Sequence, residues 1–149
     1  MKEINARQAT PEMKTMKRWL RAFAREVPEE TLFHHVLAPG CFLWHVFTWG
    51  NVGCLEGEAA QQAFAAAHYE KILIFEGGYS RGETPEICKL RTVSRISEKE
   101  LKKLSDVYIV DEDFTWTYVQ THEKGWIGPF FCRRKPFPWE KGTDFTNWN

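Results

Sequence analysis

The feature that most constrains the fold is a segment near the carboxyl end in which large and small side chains alternate. From Phe114 to Glu123 the sequence is Phe-Thr-Trp-Thr-Tyr-Val-Gln-Thr-His-Glu. Successive side chains of a β-strand point to opposite faces, so the alternation predicts a strand over 114–121. The aromatic face is expected to be packed, and the threonine face to be half-exposed. The first face holds Phe114, Trp116, Tyr118, Gln120 and His122; the second holds Thr115, Thr117, Val119, Thr121 and Glu123.

Two shorter strands are predicted on either side of this one. Residues 107–110 are Val-Tyr-Ile-Val, and the acidic run 111–113 that follows suits a hairpin connection. After the main strand, Gly125 and Gly128-Pro129 indicate a second turn before an apolar segment at 129–133. The carboxyl-terminal part is therefore predicted to be a three-strand meander.

The amino-terminal part predicts a helix over residues 10–27. Thr10 is a suitable N-cap, Pro11 fits the first helical position, and Pro28 ends the segment. The apolar face has spacings of three and four and consists of Met13, Met16, Leu20, Phe23 and Val27. A basic stripe on the outer side consists of Lys14, Arg18, Arg21 and Arg25. Such a stripe is either a docking face for an acidic partner or, more commonly, a solvated helix face.

The middle of the chain predicts a mixture of strands and helices. Continuous apolar runs predict buried strands, an Ala-rich run predicts a short helix, and a Ser-x-x-Glu capping box predicts another helix. The strands are 41–49, 71–76 and 90–93; the helices are 58–68 and 97–104; and Gly77–Gly82 is a flexible loop. The fold class is therefore α+β, a mostly antiparallel sheet of about five strands with two or three helices packed on it. We expect one domain over residues 1–149, in which 136–149 form an irregular aromatic-rich tail.

Charge and hydropathy narrow the function classes. The chain has 20 Lys plus Arg and 20 Asp plus Glu, and a net charge of zero makes nucleic acid an unlikely partner despite the basic Arg133-Arg134-Lys135. No segment resembles a signal peptide or an apolar membrane span. A cytoplasmic protein without a membrane partner is expected.

The cysteine spacing does not favour a metal centre. Cys41, Cys54, Cys88 and Cys132 are separated by 13, 34 and 44 positions, whereas zinc ligands usually come in close local pairs. His34-His35 also lacks the spacing of two ligands on one helix face. Free, mostly buried thiols are expected, with no metal and no cofactor.

Several motifs resemble a family of bacterial proteins, domain of unknown function 4275. They are Asp106-Val-Tyr-Ile-Val-Asp, Asp113-Phe-Thr-Trp-Thr-Tyr-Val, Thr121-His122-Glu123, Gly128-Pro129, Trp44-His45-Val46-Phe47 and Cys54-Leu55-Glu56-Gly57. The resemblance covers about residues 15–133 and implies a bacterial origin, but it implies no activity. A looser similarity extends to small proteins in which a tryptophan-bearing strand runs into Thr-His-Glu, and some of those are immunity proteins of bacterial toxin systems.

Catalytic candidates are few. His122 and Glu123, with His45, are the residues suited to acid–base chemistry near neutral pH. Adjacent strand residues point to opposite faces, so His122 and Glu123 do not share a site unless the strand ends between them. His45 lies in an apolar run, where a hydrogen-bonded core histidine is the commoner outcome.

Binding candidates are the residues expected in surface loops. Aromatic residues and arginine dominate the energetic centres of protein interfaces. The candidates are Tyr79, Arg81, Trp126, His122 and Glu123, with Trp139 and Trp148 in the tail. The sequence thus favours a non-catalytic protein-binding module, whose concrete form would be an immunity- or antitoxin-like protein. The alternative is a small hydrolase-type enzyme that uses His122 and Glu123, and no particular small-molecule ligand is indicated.

Overall fold

A six-stranded antiparallel sheet forms the centre of the fold in the computed structural model, which describes residues 9–50, 52–81 and 85–136. The strand order is β1-β6-β5-β4-β2-β3, and every neighbouring pair is antiparallel. The strands are β1 (Leu55–Glu56), β2 (Ile72–Ser80), β3 (Pro85–Val93), β4 (Val107–Asp111), β5 (Trp116–Gln120) and β6 (Phe130–Arg133). The helices are α1 (Pro11–Phe23), α2 (Glu29–His35), α3 (Glu58–Ala66), α4 (Glu98–Lys102) and a 3₁₀ helix (Leu43–Gly50). The predicted α+β class and the meander β4–β5–β6 are confirmed.

Helices cover both faces of the sheet, and alternate side chains of β2, β4, β5 and β6 enter two separate apolar clusters. The first cluster joins α1 and the 3₁₀ helix to Tyr108, Val119 and their neighbours. The second joins α3 to Trp116, Tyr118 and their neighbours. The aromatic face of β5 is therefore packed, as predicted. The prediction of a half-exposed second face holds for Thr115 but is wrong for Thr117, Val119 and Thr121, which are buried. Thr117 lies beneath Trp19 of α1.

Phe114 also departs from the predicted alternation. Its φ of 54° lies in the left-handed region, so it belongs to the hairpin turn before β5 rather than to the strand. Its ring is buried in the first cluster, on the face opposite Trp116, and the guanidinium of Arg18 lies 4.2 Å from the ring centre. Asp111 holds the turn, since its carboxylate accepts hydrogen bonds from the Thr115 and Trp116 amides at 2.7 and 3.1 Å.

The first helix is shorter than predicted. Thr10 Oγ1 caps it by accepting from the Met13 amide, and the cap is confirmed, but α1 ends at Phe23 and Pro28 precedes α2 instead. The most deeply buried residue of α1 is Trp19. The basic side chains lie on the solvent side, as the sequence predicts.

The segment 41–49 is not a strand. Leu43–Gly50 is a 3₁₀ helix in which His45 N donates to Phe42 O, and Phe42 makes only an isolated bridge with Tyr79. A continuous apolar run is compatible with either structure, because every position is apolar and the period is invisible. The 3₁₀ helix packs on one face of the sheet instead of joining it as a strand. Its buried residues in the first cluster are Leu43, Trp44, Val46 and Phe47.

Residues 77–80 are strand rather than flexible loop. β2 continues to Ser80 and pairs with β3, which begins at Pro85 and is longer than the predicted 90–93. Register shifts occur at Ile74/Glu76 and Gly77/Tyr79, where Gly77 and Gly78 have φ values of 93° and 77°. Glycine permits these positive angles, so the pair produces a bulged strand.

Other predictions are confirmed or lie outside the described residues. Ser97 Oγ accepts from the Glu100 amide and caps α4, as the capping box predicts. Trp139 and Trp148 of the predicted tail are outside the described part of the chain. In that described part, no helix has both the length and the apolar character needed to cross a membrane.

Candidate functional site

The end of β5 and the start of β4 bring two chemically active side chains together. Gln120, the last residue of β5, pairs with Val107, the first residue of β4. The residues just beyond this pair, Asp106 and His122, therefore lie side by side at one end of the sheet. Tyr79 lies at the same end, because β2 runs past its pairing with Val107.

The Asp106 carboxylate organises this end of the sheet. It accepts hydrogen bonds from Trp44 Nε1 at 2.9 Å and from the His122 amide at 3.2 Å, and it contacts His122 Nδ1 at 3.0 Å. The backbone of Asp106 has a φ of 49°, a conformation that aspartate tolerates better than most residues. The Asp106 carbonyl accepts from Gly77 N at 2.8 Å, so β2, β4, β5 and the 3₁₀ helix meet at this residue.

His122 lies between two carboxylates. Nδ1 faces Asp106, while Nε2 is 3.2 Å from Glu123 Oε1. The hydrogen bond to Asp106 is the main cause that raises the pKa of His122 above 6.5, and the charges of Asp106 and Glu123 act in the same direction against a smaller desolvation effect. The expectation that His122 and Glu123 point apart fails because β5 ends at Gln120 and both residues lie in the following turn.

Aromatic rings lie on one side of this histidine, which is partly exposed. The Phe42 ring centre lies 5.0 Å from those of His122 and Tyr79, and Trp44 stacks on His45 at 4.2 Å. We call the whole group the His122 cluster; it consists of Phe42, Trp44, His45, Tyr79, Asp106, His122 and Glu123. It contains the three predicted catalytic candidates, of which His122 and Glu123 are also predicted binding residues, together with a third predicted binding residue, Tyr79.

His45 differs from His122 in its electrostatic surroundings. Burial lowers its pKa, the backbone of Phe42 opposes this effect, and the nearby charge of His122 lowers the pKa further. His45 Nδ1 lies 3.1 Å from both the Phe42 amide nitrogen and the Phe42 carbonyl oxygen, so one neutral tautomer can accept from the amide and the other can donate to the carbonyl. His45 is therefore suited to the neutral form and His122 to the charged form.

The turn after β5 carries another binding candidate, Trp126. Thr121 Oγ1 donates to the Ile127 carbonyl at 2.6 Å, and the Trp126 amide donates to the Glu123 carbonyl at 2.9 Å, so the turn is well defined. The Trp126 side chain is nevertheless 87% exposed. Arg81, directly after β2, is also exposed, at the same end of the sheet.

The chemistry available to the His122 cluster follows from its geometry. A protonated His122 donates to both carboxylates at once, which stabilises its cationic form. Glu123 would have to move before Nε2 could exchange a proton with a bound molecule. Within the described ranges, no group of three or more histidine, cysteine or acidic side chains is arranged to hold a metal ion.

Sequence analysis missed three members of the cluster: Asp106, Trp44 and Phe42. Two of them stand in the quoted motifs, since Asp106 opens Asp-Val-Tyr-Ile-Val-Asp and Trp44 opens Trp-His-Val-Phe. The missing information was spatial, because 62 positions separate the indole from the carboxylate it donates to. A left-handed aspartate at the start of a strand leaves no distinctive sequence signal.

A groove lies on the face of the sheet that carries the second apolar cluster, and it is separate from the His122 cluster. It has a volume of about 660 Å³ and lies between α3 and α4. Its floor includes Phe64 and Tyr118, whose rings stack with centres 4.5 Å apart. Burial raises the pKa of Tyr118 to about 12, so its hydroxyl stays protonated and donates to Gln120 Oε1 at 3.2 Å.

The class of protein defined by these features is an α+β domain with a six-stranded antiparallel sheet and a histidine–carboxylate cluster at one end. The model of the family described as domain of unknown function (DUF4275) matches residues 4–131, and the chain belongs to this family. No curated protein and no solved structure matches the chain significantly.

Proposed function

We propose that this chain is a non-catalytic protein-binding module. Its contact surface lies at the end of the sheet and consists of Tyr79, Arg81, His122, Glu123 and Trp126. Aromatic rings flanked by charges of both signs are typical of the energetic centres of protein interfaces. The concrete version of the proposal is an immunity- or antitoxin-like role in a bacterial cytoplasm, in keeping with the likeness of the Thr-His-Glu strand to that of small immunity proteins.

The observation that carries the proposal is the exposure of Trp126 on a hydrogen-bonded turn. Its side chain is 87% exposed although the turn is fixed by Thr121 and Glu123. Burying about 200 Å² of tryptophan surface at about 25 cal/mol per Å² gives a gross gain of about 5 kcal/mol. Part of this gain offsets the entropy lost on association, but a pre-ordered turn keeps that loss small.

The test compares three forms of the protein as bait in a native lysate. Trp126→Ala removes the exposed indole, and Phe33→Ala is the matched control because it removes an exposed ring from α2. The proposal expects a partner that wild type and Phe33→Ala retain and that Trp126→Ala binds about 30-fold more weakly, which is about 2 kcal/mol. Equal retention by Trp126→Ala, or turnover of a nucleotide or ester with no partner recovered, would overturn it.

The hydrolase alternative is supported by one specific contact. Asp106 Oδ1 lies 3.0 Å from His122 Nδ1, an arrangement that orients an imidazole for acid–base catalysis. It predicts that His122→Ala abolishes turnover of an ester or phosphodiester while the melting temperature hardly changes. If this variant unfolds instead, His122 has a structural role.

A further inference from the structure

Two of the four cysteines stand opposite each other where β1 meets β6. Leu55 pairs with Phe131 in the antiparallel register. Continued by one residue, the same register places Cys54 directly opposite Cys132. The other two cysteines lack such a relationship: Cys88 pairs with Glu76 across β2–β3, and Cys41 precedes the 3₁₀ helix.

The hydrogen-bond pattern fixes the kind of pair that the two cysteines form. The Gly57 amide donates to the Pro129 carbonyl at 2.8 Å, so Gly57 and Pro129 are a hydrogen-bonded pair. Because the two kinds of pair alternate along an antiparallel ladder, Cys54 and Cys132 occupy a non-hydrogen-bonded position. The Cα atoms of such pairs are about 4.5 Å apart. That spacing falls at the lower end of the range of about 4.4–6.8 Å found for disulfides.

Both thiols lie on the same face of the sheet. Cys132 is buried in the first cluster, and Cys54 packs against that cluster from a half-buried position. Cys132 Sγ lies 3.7 Å from the Gly53 carbonyl oxygen, so it reaches the peptide group that joins Gly53 to Cys54. The cleft beside Gly53 and Cys132 has a volume of only about 30 Å³. Cys132 is 2% exposed whereas Cys54 is half-buried, so a small-molecule oxidant meets Cys54 first.

We propose that Cys54 and Cys132 are a redox-active pair that closes to an intramolecular disulfide when the protein meets a small-molecule disulfide. The Cys54 thiolate attacks the reagent and releases one thiolate, which leaves a mixed disulfide on Cys54. The Cys132 thiolate then attacks Cys54 Sγ and displaces the second thiolate. The two cysteines lose two electrons and two protons, and the reagent gains them as two thiols.

The surroundings of the pair set its rate. Burial is the main cause that raises the pKa of Cys54 to about 11 and that of Cys132 to about 12. A nearby negative charge contributes to each value, Glu56 for Cys54 and a Cys54 thiolate for Cys132, and Lys135 acts in the opposite direction on Cys132. The thiolate is the attacking species, so closure of the disulfide is slow at neutral pH. Its rate increases about tenfold with each unit by which the pH rises towards these pKa values. The closed bond ties the segment after the 3₁₀ helix to β6.

The experiment uses oxidised glutathione on the full chain with Cys41→Ser and Cys88→Ser, which removes the two competing thiols. The proposal expects loss of both remaining thiols, a mass lower by two hydrogens, and a tryptic fragment that links Cys54 to Cys132. It also expects a melting temperature that rises by several degrees and falls again on reduction.

A third substitution, Cys54→Ala in the same background, separates the two steps. Cys132 should then remain a free thiol, since the cleft beside it is too small for glutathione. Two outcomes would overturn the proposal: a glutathione adduct that persists on Cys54 in the folded protein without closing, or two thiols that stay reduced after prolonged incubation at pH 10, where the thiolate fraction is about a thousandfold higher than at pH 7. Mapping of the wild-type chain provides a check that requires no substitution.

Discussion

Trp19 and Thr117 are joined by a hydrogen bond in a part of the core that excludes solvent. Trp19 Nε1 donates to Thr117 Oγ1 at 3.0 Å, and both residues are 0% exposed. The threonine hydroxyl in turn donates to the Ile109 carbonyl at 2.8 Å. Every polar group of this contact is satisfied, so it fixes α1 on the centre of the sheet at little desolvation cost.

Thr117→Val tests the contact between α1 and the sheet. The change keeps the shape of the side chain but leaves the Trp19 indole N–H buried without an acceptor, which costs about 1–3 kcal/mol. Urea unfolding measures the loss. Thr92→Val on the exposed face of β3 is the control and should change the free energy of unfolding by less than about 0.5 kcal/mol. Equal effects at the two positions would contradict the packing described for α1.

Trp116 and Trp126 form a second matched pair, ten positions apart. Trp116 is 4% exposed and packs between Phe64 and Phe131, so Trp116→Ala should cost about 3–5 kcal/mol. Trp126→Ala should leave the stability within about 0.5 kcal/mol of wild type, because its ring is exposed. Thermal unfolding of the two variants distinguishes a core tryptophan from a surface one. A loss below about 1 kcal/mol for Trp116→Ala would mean that its face is assigned incorrectly.

Gly78→Ala should destabilise the protein through a direct clash. A Cβ atom on Gly78 would lie 2.6 Å from the Tyr108 hydroxyl, and the φ of 77° adds backbone strain. Gly125→Ala is the control, since its φ of 87° brings similar strain but nothing lies within 4 Å of the new atom. The strain alone is about 1–2 kcal/mol. Chemical denaturation should show a larger loss in the free energy of unfolding for Gly78→Ala than for Gly125→Ala. Equal losses would mean that the Tyr108 hydroxyl moves aside freely.

The two histidines of the His122 cluster should titrate on opposite sides of 6.5. The pKa of His122 is raised, chiefly by its hydrogen bond to Asp106, and the pKa of His45 is lowered by burial. NMR titration of the imidazole protons measures both values. Asp106→Asn should bring the His122 pKa back towards 6.5, whereas an unchanged value would show that Asp106 does not hold the proton.

The same shifts predict opposite effects on stability. Folded His122 holds its proton more tightly than unfolded His122, so its contribution is complete below pH 6.5 and is lost as the pH rises through the folded pKa. Folded His45 releases its proton more easily, so its contribution is present above pH 6.5 and is lost as the pH falls through the folded pKa. Comparing the pH dependence of unfolding for wild type and His122→Gln isolates the first effect, which should vanish in the variant.

Local patterns predicted the elements that carry a visible period or a cap. The meander could be predicted because Trp116 and Tyr118 follow the period of two that is typical of a strand. The turns around them contain the glycine, proline and acidic residues that hairpins require. Thr10 and Ser97 predicted helix starts because their hydroxyl groups are typical N-caps. The 3₁₀ helix at Leu43 could not be predicted from the sequence, because an apolar run without polar interruptions has no measurable period.

The candidate site was predicted only in part, since its geometry depends on where strands end. His122 and Glu123 were identified from their chemistry, yet the end of β5 at Gln120 decides whether their side chains meet. Asp106 and Trp44 required knowledge of long-range pairing that no local window contains. The predicted apolar face of α1 includes Leu20 but omits its neighbour Trp19, which is fully buried in the structure.

The strand order has a consequence for behaviour at high concentration. The two outermost strands are β1, with two residues, and β3, where Lys89 has a φ of 54° and interrupts the regular pattern. Glu86 and Lys89 also place charges along that rim. Short, irregular and charged rims are poor templates for main-chain pairing between molecules. The architecture therefore resists growth into intermolecular fibrils even though its interior is rich in β-forming aromatic residues.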